Sequence, residues 1–261
     1  MIRGIYTSAI GMGIQQKRMD VVSNNLANAG STGFNRDIVV TQSFGDMFAR
    51  RVRDYEMRGH NVIGSTQLGQ MSLGVNFNTI HRDFSAGSVR ATGSPLDLAI
   101  EGDGFFRVNF VNAYGEVEQM FSRAGNFTLS PDGVLVTHGG FAVLDDAGNT
   151  ITLPNGVITV GSGGEVMVDD IVIANLGLTS FENLADLRPF GHSFYTLYET
   201  GTEIPFTGRI LQGFVEESNV NIVREMVEMI SISRTYEANS RMVQIQDETL
   251  RQAVNEIARG R

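Results

Sequence analysis

The chain has 261 residues, 42% of them hydrophobic and 19% charged, with 30 glycines, 5 prolines and a formal net charge of -9. That length supports one large or two smaller hydrophobic cores, and the glycine content points to many turns. An acidic balance excludes the basic face that a nucleic-acid binder needs to displace counterions. The lack of cysteine removes disulfides, thiol nucleophiles and thiolate metal sites together.

The N-terminal stretch carries a 4-3 spacing at Ile5, Ala9, Met12, Gln16, Met19, Ser23 and Leu26. This draws one narrow stripe along a helix. Gly11 and Gly13 weaken that helix by up to about 1 kcal/mol each relative to alanine, so it is expected to rely on packing partners that the glycines let come close. Asn28-Ala29-Gly30-Ser31-Thr32-Gly33 is a stop signal. The apolar run Ile5 to Ile14 after Arg3, with Ala27-Asn28-Ala29 downstream, mimics a secretory signal. However, Gln15-Gln16-Lys17-Arg18 and Asp20 interrupt it, and the N-terminus is expected to stay uncleaved.

Residues 31–69 show no clear period and are read as an extended linker. Within them Arg50, Arg51, Arg53 and Arg58 alternate with Asp46, Asp54 and Glu56, the pattern of a solvated, charge-balanced segment. From 70 to 216 the period changes. Val134-Leu135-Val136, Ile151-Thr152-Leu153 and Val166-Met167-Val168 suit strands. Asp132-Gly133, Asp146-Ala147-Gly148-Asn149 and Gly161-Ser162-Gly163-Gly164 supply turns. An all-β, barrel- or sandwich-like domain is expected there. Internal repeats are not evident.

Signals for chemistry are weak. His60, His81, His138 and His192 are scattered without metal-ligand spacing, and nucleophile-elbow, phosphate-loop and dinucleotide motifs are missing. Glu101-Gly102-Asp103-Gly104 lacks the further oxygen ligands of a calcium loop and reads as a turn into Phe105-Phe106. No catalytic, cofactor or metal residues are assigned. The amides of Ser23-Asn24-Asn25-Leu26-Ala27-Asn28 read as a helix-end device, because short amides hydrogen-bond nearby backbone.

The C-terminal stretch repeats the 4-3 spacing at Ile222, Met226, Met229, Ser233, Tyr236, Ser240, Val243, Asp247, Leu250, Val254 and Ile257, with no glycine or proline from 222 to 258. Such a helix is roughly 55 Å long. Asn219 or Asn221 can cap its start, and Glu237 to Arg241 and Asp247 to Arg251 are favourable i,i+4 pairs. A stripe this long needs a long partner, and within the chain the N-terminal helix is the candidate. The fold class is therefore α+β: paired, coiled-coil-like terminal helices (1–30 with 217–261, relative direction open) plus a central all-β domain (70–216). The plainer alternative is a two-helix cap on a globular core. Apolar runs fall short of the 18 or so residues that a membrane span needs.

Four blocks carry a resemblance. The first is Ser23-Asn24-Asn25-Leu26-Ala27-Asn28 with Thr32-Gly33-Phe34. The second runs from Thr92-Gly93-Ser94-Pro95-Leu96-Asp97 to Gly104-Phe105-Phe106, and the third from Phe121-Ser122-Arg123-Ala124-Gly125-Asn126 to Leu129. The fourth is Glu217-Ser218-Asn219-Val220-Asn221 with Arg234-Thr235-Tyr236-Glu237-Ala238-Asn239-Ser240. In this order they resemble the flagellar rod and hook protein family, and most of all its distal rod member. Proximal rod proteins and Gram-positive rod-hook paralogues stand close behind. The Phe44 to Arg58 segment departs from the distal rod pattern and could mark a paralogue.

The resemblance implies a non-enzymatic structural subunit without cofactors. It would leave the cytoplasm through the flagellar type III export apparatus with no cleaved signal, and polymerise helically in the cell-wall-spanning rod. Its partners would be copies of itself, other rod proteins, the hook protein and the P/L-ring bushing. Ile5, Met12, Met19, Leu26, Ile222, Met226, Met229, Tyr236, Val243 and Leu250 are the expected self-assembly positions. Asn24, Asn25, Leu26, Ala27, Asn28, Gly33, Ser218, Asn219, Val220, Tyr236, Glu237 and Asn239 are the signature positions. A cell-wall- or carbohydrate-binding β protein is the remoter alternative, disfavoured by the absence of tryptophan.

Overall fold

The computed structural model describes residues 2–43, 47–52, 65–71, 74–111, 117–191, 193–198 and 201–259. His60, His192 and the charged residues Asp46, Arg53, Asp54, Glu56 and Arg58 lie outside these, as does much of the divergent Phe44 to Arg58 segment. The chain is α+β. Helix α1 spans Ile2–Ala27 and helix α2 spans Ile222–Arg259, 38 residues. α1 gives way to a turn in which the amides of Ala29 and Ser31 donate to Leu26 O and Asn28 O. α2 runs long because no residue in it breaks the helical ladder.

Two compact units divide the chain. The first holds Met1–Asn24, Asp37–His81 and Val223–Arg261. Besides the helices it contains strand Asp37–Ser43 beside Val75–Arg82, and Met47–Val52 antiparallel to Ser65–Met71. Strand structure therefore begins well before residue 70.

The second unit holds Asn25–Arg36 and Arg82–Ile222. Its largest sheet runs Leu187–Phe190, Phe194–Leu197, Val117–Ser122, Phe105–Val111, Ala142–Val143, Leu135–Thr137 and Phe127–Leu129, with Leu178–Phe181 bridging Phe105–Val111 to Glu203–Pro205. A three-stranded sheet (Ile158–Val160, Glu165–Val168, Ile171–Asn175) and two strand pairs complete it. The first core includes Leu98, Phe106, Val108, Met120, Leu135, Val143 and Val166, and the second is aromatic: Phe105, Phe121, Phe181 and Tyr195 with Leu187. Phe121 and Phe181 meet edge-on at 4.8 Å, a geometry that ring quadrupoles favour.

The turns at Gly133 and Gly148 form where the sequence places them, each with positive φ. Ile151-Thr152-Leu153 is not a strand as expected. Thr152 bridges Val134, with the Leu135 amide donating to Ile151 O at 2.9 Å and the Leu153 amide to Gly133 O at 2.8 Å, and Ile151 and Leu153 are buried. Burial and short backbone pairing together fix that run, and periodicity alone cannot tell such a bridge from a full strand.

Candidate interaction surface and the signature residues

The two helices meet at three described places. Arg18 Nη2 lies 2.9 Å from Glu228 Oε1. A Cβ on Gly11 would come within 2.9 Å of Asn239 Nδ2, and one on Gly4 would overlap the Gln246 amide. Descending α1 from 18 to 11 to 4 ascends α2 from 228 to 239 to 246, so the helices run antiparallel. Of the two glycines singled out by sequence, Gly11 makes the close approach and Gly13 faces open space. The ion pair is partly exposed and contributes under about 1 kcal/mol.

Burial along α2 recurs at Glu225, Met229, Ile232, Asn239, Val243, Gln246, Leu250 and Ala253. This 3-4 stripe shares Met229, Val243 and Leu250 with the expected one. Tyr236, on the same line, is 42% exposed. Ile222 and Met226 are exposed. On α1, Ile5, Met12, Met19 and Leu26 are half-buried, while Ala9, Gln16 and Ser23 are exposed. The covered face of α2 includes Glu225, Asn239 and Gln246, polar residues that counting apolar periodicity overlooks. The opposite face keeps Val223 at 71%, Val227 at 62%, Ile230 at 53% and Ile245 at 60% exposure.

Asn25, Asn28, Gly33, Ser218, Asn219 and Val220, among the expected signature positions, play a different part within the β unit. Asn25 and Asn28 are buried as α1 ends, and the Ser31 hydroxyl reaches Asn28 Oδ1 at 3.4 Å. Gly33 takes φ +63°, donates its amide to Glu216 O at 2.9 Å, and lies so close to the Arg123-Ala124 backbone that a side chain has no room. Its αL backbone and this contact both select glycine. Phe34 is buried behind it, and Asn35 Nδ2 donates to the Tyr195 hydroxyl at 2.8 Å. The Arg82 guanidinium sits 5.8 Å over Phe34 and 5.5 Å over Tyr195, within cation–π range.

Asn219 does not cap α2 through its side chain. Its Oδ1 accepts from the Arg36 amide at 2.8 Å, and its Nδ2 donates to Asp83 O at 2.8 Å and Ser85 O at 2.9 Å. One amide thus ties together residues 36, 83–85 and 219, next to three of the places where the chain leaves this unit. Ser218 and Val220 on either side are buried, and the Ser218 hydroxyl accepts from the Val220 amide. Glu237 is exposed and Asn239 half-buried on α2.

A buried ion pair, not anticipated from sequence, sits beside this knot. Arg123 Nε donates to Glu216 Oε2 at 2.6 Å, and its other nitrogens donate to Gly104 O and Gly102 O at 2.7 and 2.8 Å. Glu216 Oε1 accepts from the Gly87 amide at 3.0 Å. With its hydrogen bonds met, such a pair is tolerated in the interior. On the surface, Ser88 and Arg90 donate to Glu217, and these two hydrogen bonds hold its carboxyl below the usual range. Among the described residues no group of three or more His, Cys, Asp or Glu side chains converges as a metal site.

Known proteins place this architecture. Residues 5–34 match the flagella basal body rod protein model, 99–168 the flagellar hook protein FlgE/F/G D1 domain, and 211–256 the flagellar basal body rod FlgEFG protein C-terminal model. The chain is 33% identical to the flagellar basal-body rod protein FlgG of Bacillus subtilis over 98% of its own length and 99% of that protein. The chain belongs to the flagellar basal-body rod protein family. It is 32% identical to FlgG of Buchnera aphidicola subsp. Acyrthosiphon pisum over 96% of this chain and 98% of that one. It is 33% identical to the rod protein FlgF of Caulobacter vibrioides over 94% and 93%. As a member of this family the chain is a structural subunit of the flagellar basal-body rod. The knot of Gly33, Asn35 and Asn219 and the terminal helices fall within or beside the matched end segments, and Arg123 falls within the middle one. No helix among the described residues is long and apolar enough to cross a membrane.

Proposed function

We propose that this chain is a non-enzymatic, self-assembling rod subunit whose terminal helices pair as a coiled coil and stack with those of neighbouring copies, so that the polymer carries torque from motor to hook. The observation that carries this reading is α2 itself. It is a helix of 38 residues whose outward face leaves Val223, Val227, Ile230 and Ile245 more than half exposed. A row of β-branched and long aliphatic side chains left in water along one helix marks a surface built to be covered. Side-by-side helices packed at interior density deform little, and stiffness is the function required of a shaft.

In this reading residues 1–30 with 217–261 form the inner helical layer and 70–216 the outer β layer, with 31–69 linking them. Ile5, Met12, Met19, Leu26, Met229, Val243 and Leu250 hold the helical pair, and Ile222, Met226 and Tyr236 meet other subunits. Copies of the chain, other rod proteins and the hook protein are its partners. The type III export apparatus delivers it without signal cleavage into the periplasmic, cell-wall-spanning rod, where the outer layer faces the P/L-ring bushing. We place it in the distal rod segment on the strength of its length and middle blocks. Matching relatives that carry two rod-protein names at 33% identity favour a proximal segment or paralogue as the second reading.

Met226→Asp puts a carboxylate on a half-exposed position of α2. The monomer should keep its denaturation midpoint, while electron microscopy of concentrated protein should show rods for the parent chain and none for the variant. Rods from the Met226→Asp protein would contradict the assignment.

A further inference from the structure

We infer that Asn155, followed by Gly156, is a self-modifying site: its side-chain amide is lost, the backbone is rerouted through an isoaspartyl linkage, and the start of strand Ile158–Val160 loosens. The inference concerns the β unit alone and stands independently of the assembly reading.

The chemistry needs a side-chain amide, a following residue without a Cβ, and a backbone N–H free to attack. Of the chain's asparagines, Asn155 alone precedes glycine. Both residues are exposed, in a bend between the buried Leu153 and strand Ile158–Val160. Among the described residues the Gly156 amide donates to no protein acceptor, and the Asn155 side chain makes no hydrogen bond. Water therefore satisfies that N–H, and no structure has to open before it reacts.

The fold holds the labile pair in place. Gly156 does not take a left-handed φ, so space and not backbone conformation requires glycine here. A Cβ would lie 2.5 Å from Val168 Cγ1 and 2.6 Å from Asp169 Oδ2. Val168 is buried, and its branched side chain is stiff. The Asp169 carboxylate is engaged, accepting from the Val157 amide at 3.0 Å. The close approach thus demands a residue with no side chain, and that residue is the most reactive neighbour an asparagine can have.

Water is the one co-reactant. The Gly156 nitrogen attacks Asn155 Cγ while its proton passes through solvent to Nδ2. The Cγ–Nδ2 bond breaks, ammonia leaves, and a five-membered succinimide remains. Water then opens the ring. Addition at Cγ gives aspartate, and addition at the Asn155 main-chain carbonyl carbon gives isoaspartate, whose chain runs through Cγ. Either product replaces a neutral amide with a carboxylate, and the isoaspartyl form lengthens the main chain by one methylene. That methylene enters just before Val157, which accepts from the Asp169 amide at 3.1 Å as well as donating to its carboxylate. The new charge arrives beside the Asp169 carboxylate that Gly156 touches, so both bonds weaken.

Asp132–Gly133 provides a contrast within the same chain. It is exposed and can form the same ring with loss of water, but the Gly133 amide is held by Ser130 O at 2.9 Å.

Peptide mapping by mass spectrometry tests this on the full chain, folded and in guanidinium, at neutral and mildly alkaline pH. The peptide carrying Asn155 should gain the amide-to-acid mass increment and split into two products of equal mass, faster at the higher pH. Folded and unfolded rates should agree within about threefold at Asn155, whereas isomerisation at Asp132 should be about tenfold slower in the folded chain, because its turn has to open first. Asn155→Ser should abolish both products. In aged protein the Val157 amide should exchange faster than in fresh protein, with that of Phe106 unchanged. Asn155 intact in the folded chain but converted in guanidinium would overturn the inference, as would slow conversion in both states. Conversion of Asn126 or Asn149 in the folded chain as fast as Asn155 would overturn it too, and unchanged exchange at Val157 after full conversion would overturn the loosening.

Discussion

The unit of residues 25–36 and 82–222 encloses Phe106, Val108, Met120, Val143 and Tyr195 with no exposed area at all. In the other unit, leaving aside residues 44–73, the buried aliphatic or aromatic side chains among the described residues are Val21, Val22 and Ile232. The first has a closed core and a satisfied ion pair. The second has two long helices and short strand pairs, with its aliphatic side chains largely on the outside. Burial of apolar area is the main stabilising term in folding, so the two units should differ in what they need. On the proposed reading, the β unit would carry its own stability, whereas the helical unit would draw much of its stability from neighbouring subunits. That division suits a polymer subunit, because a unit completed only on assembly cannot assemble early without a partner.

The contrast can be broken first at its strong side. Phe106→Ala removes a fully buried ring that stacks edge-on against Phe127 at 5.0 Å. It should cost the β unit about 3–5 kcal/mol, read as a large shift of the chemical denaturation midpoint. Asn219→Ala is the next test. It deletes an amide that serves one donor and two acceptor groups of the backbone at 2.8–2.9 Å, and a loss of about 2 kcal/mol is expected from the groups left unsatisfied. If the midpoint does not move, the knot does not hold the chain exits.

Much of this is legible in the sequence, for identifiable reasons. α2 is readable end to end because nothing between Ile222 and Arg259 interrupts it, and α1 stops where Asn28 to Gly33 say it should. The β character of the middle follows from β-branched runs and turn dipeptides. What cannot be read is what depends on partners distant in sequence. Asn35 finds Tyr195 across 160 residues and Asn219 finds Arg36 across 183, and no local pattern announces either. The amides stand out as signature residues, but the bonds they make do not. The helical seam departs from the apolar line for a related reason. Glu225, Asn239 and Gln246 lie on the covered face because Gly4, Gly11 and other groups admit them there, and a search for apolar periodicity passes them over. The turn at Asp169 and Asp170, both at positive φ, could have been found, since short acidic side chains tolerate αL backbone in hairpins.

Amide hydrogen exchange on the monomer and on the assembled polymer tests the central claim most directly. Isolated helices are marginal without packing partners. Amides of α1 and of α2 should therefore exchange rapidly in the monomer and become protected on assembly, while those of strand Phe105–Val111 stay protected in both states. Terminal helices as strongly protected in the monomer as that strand would contradict the account.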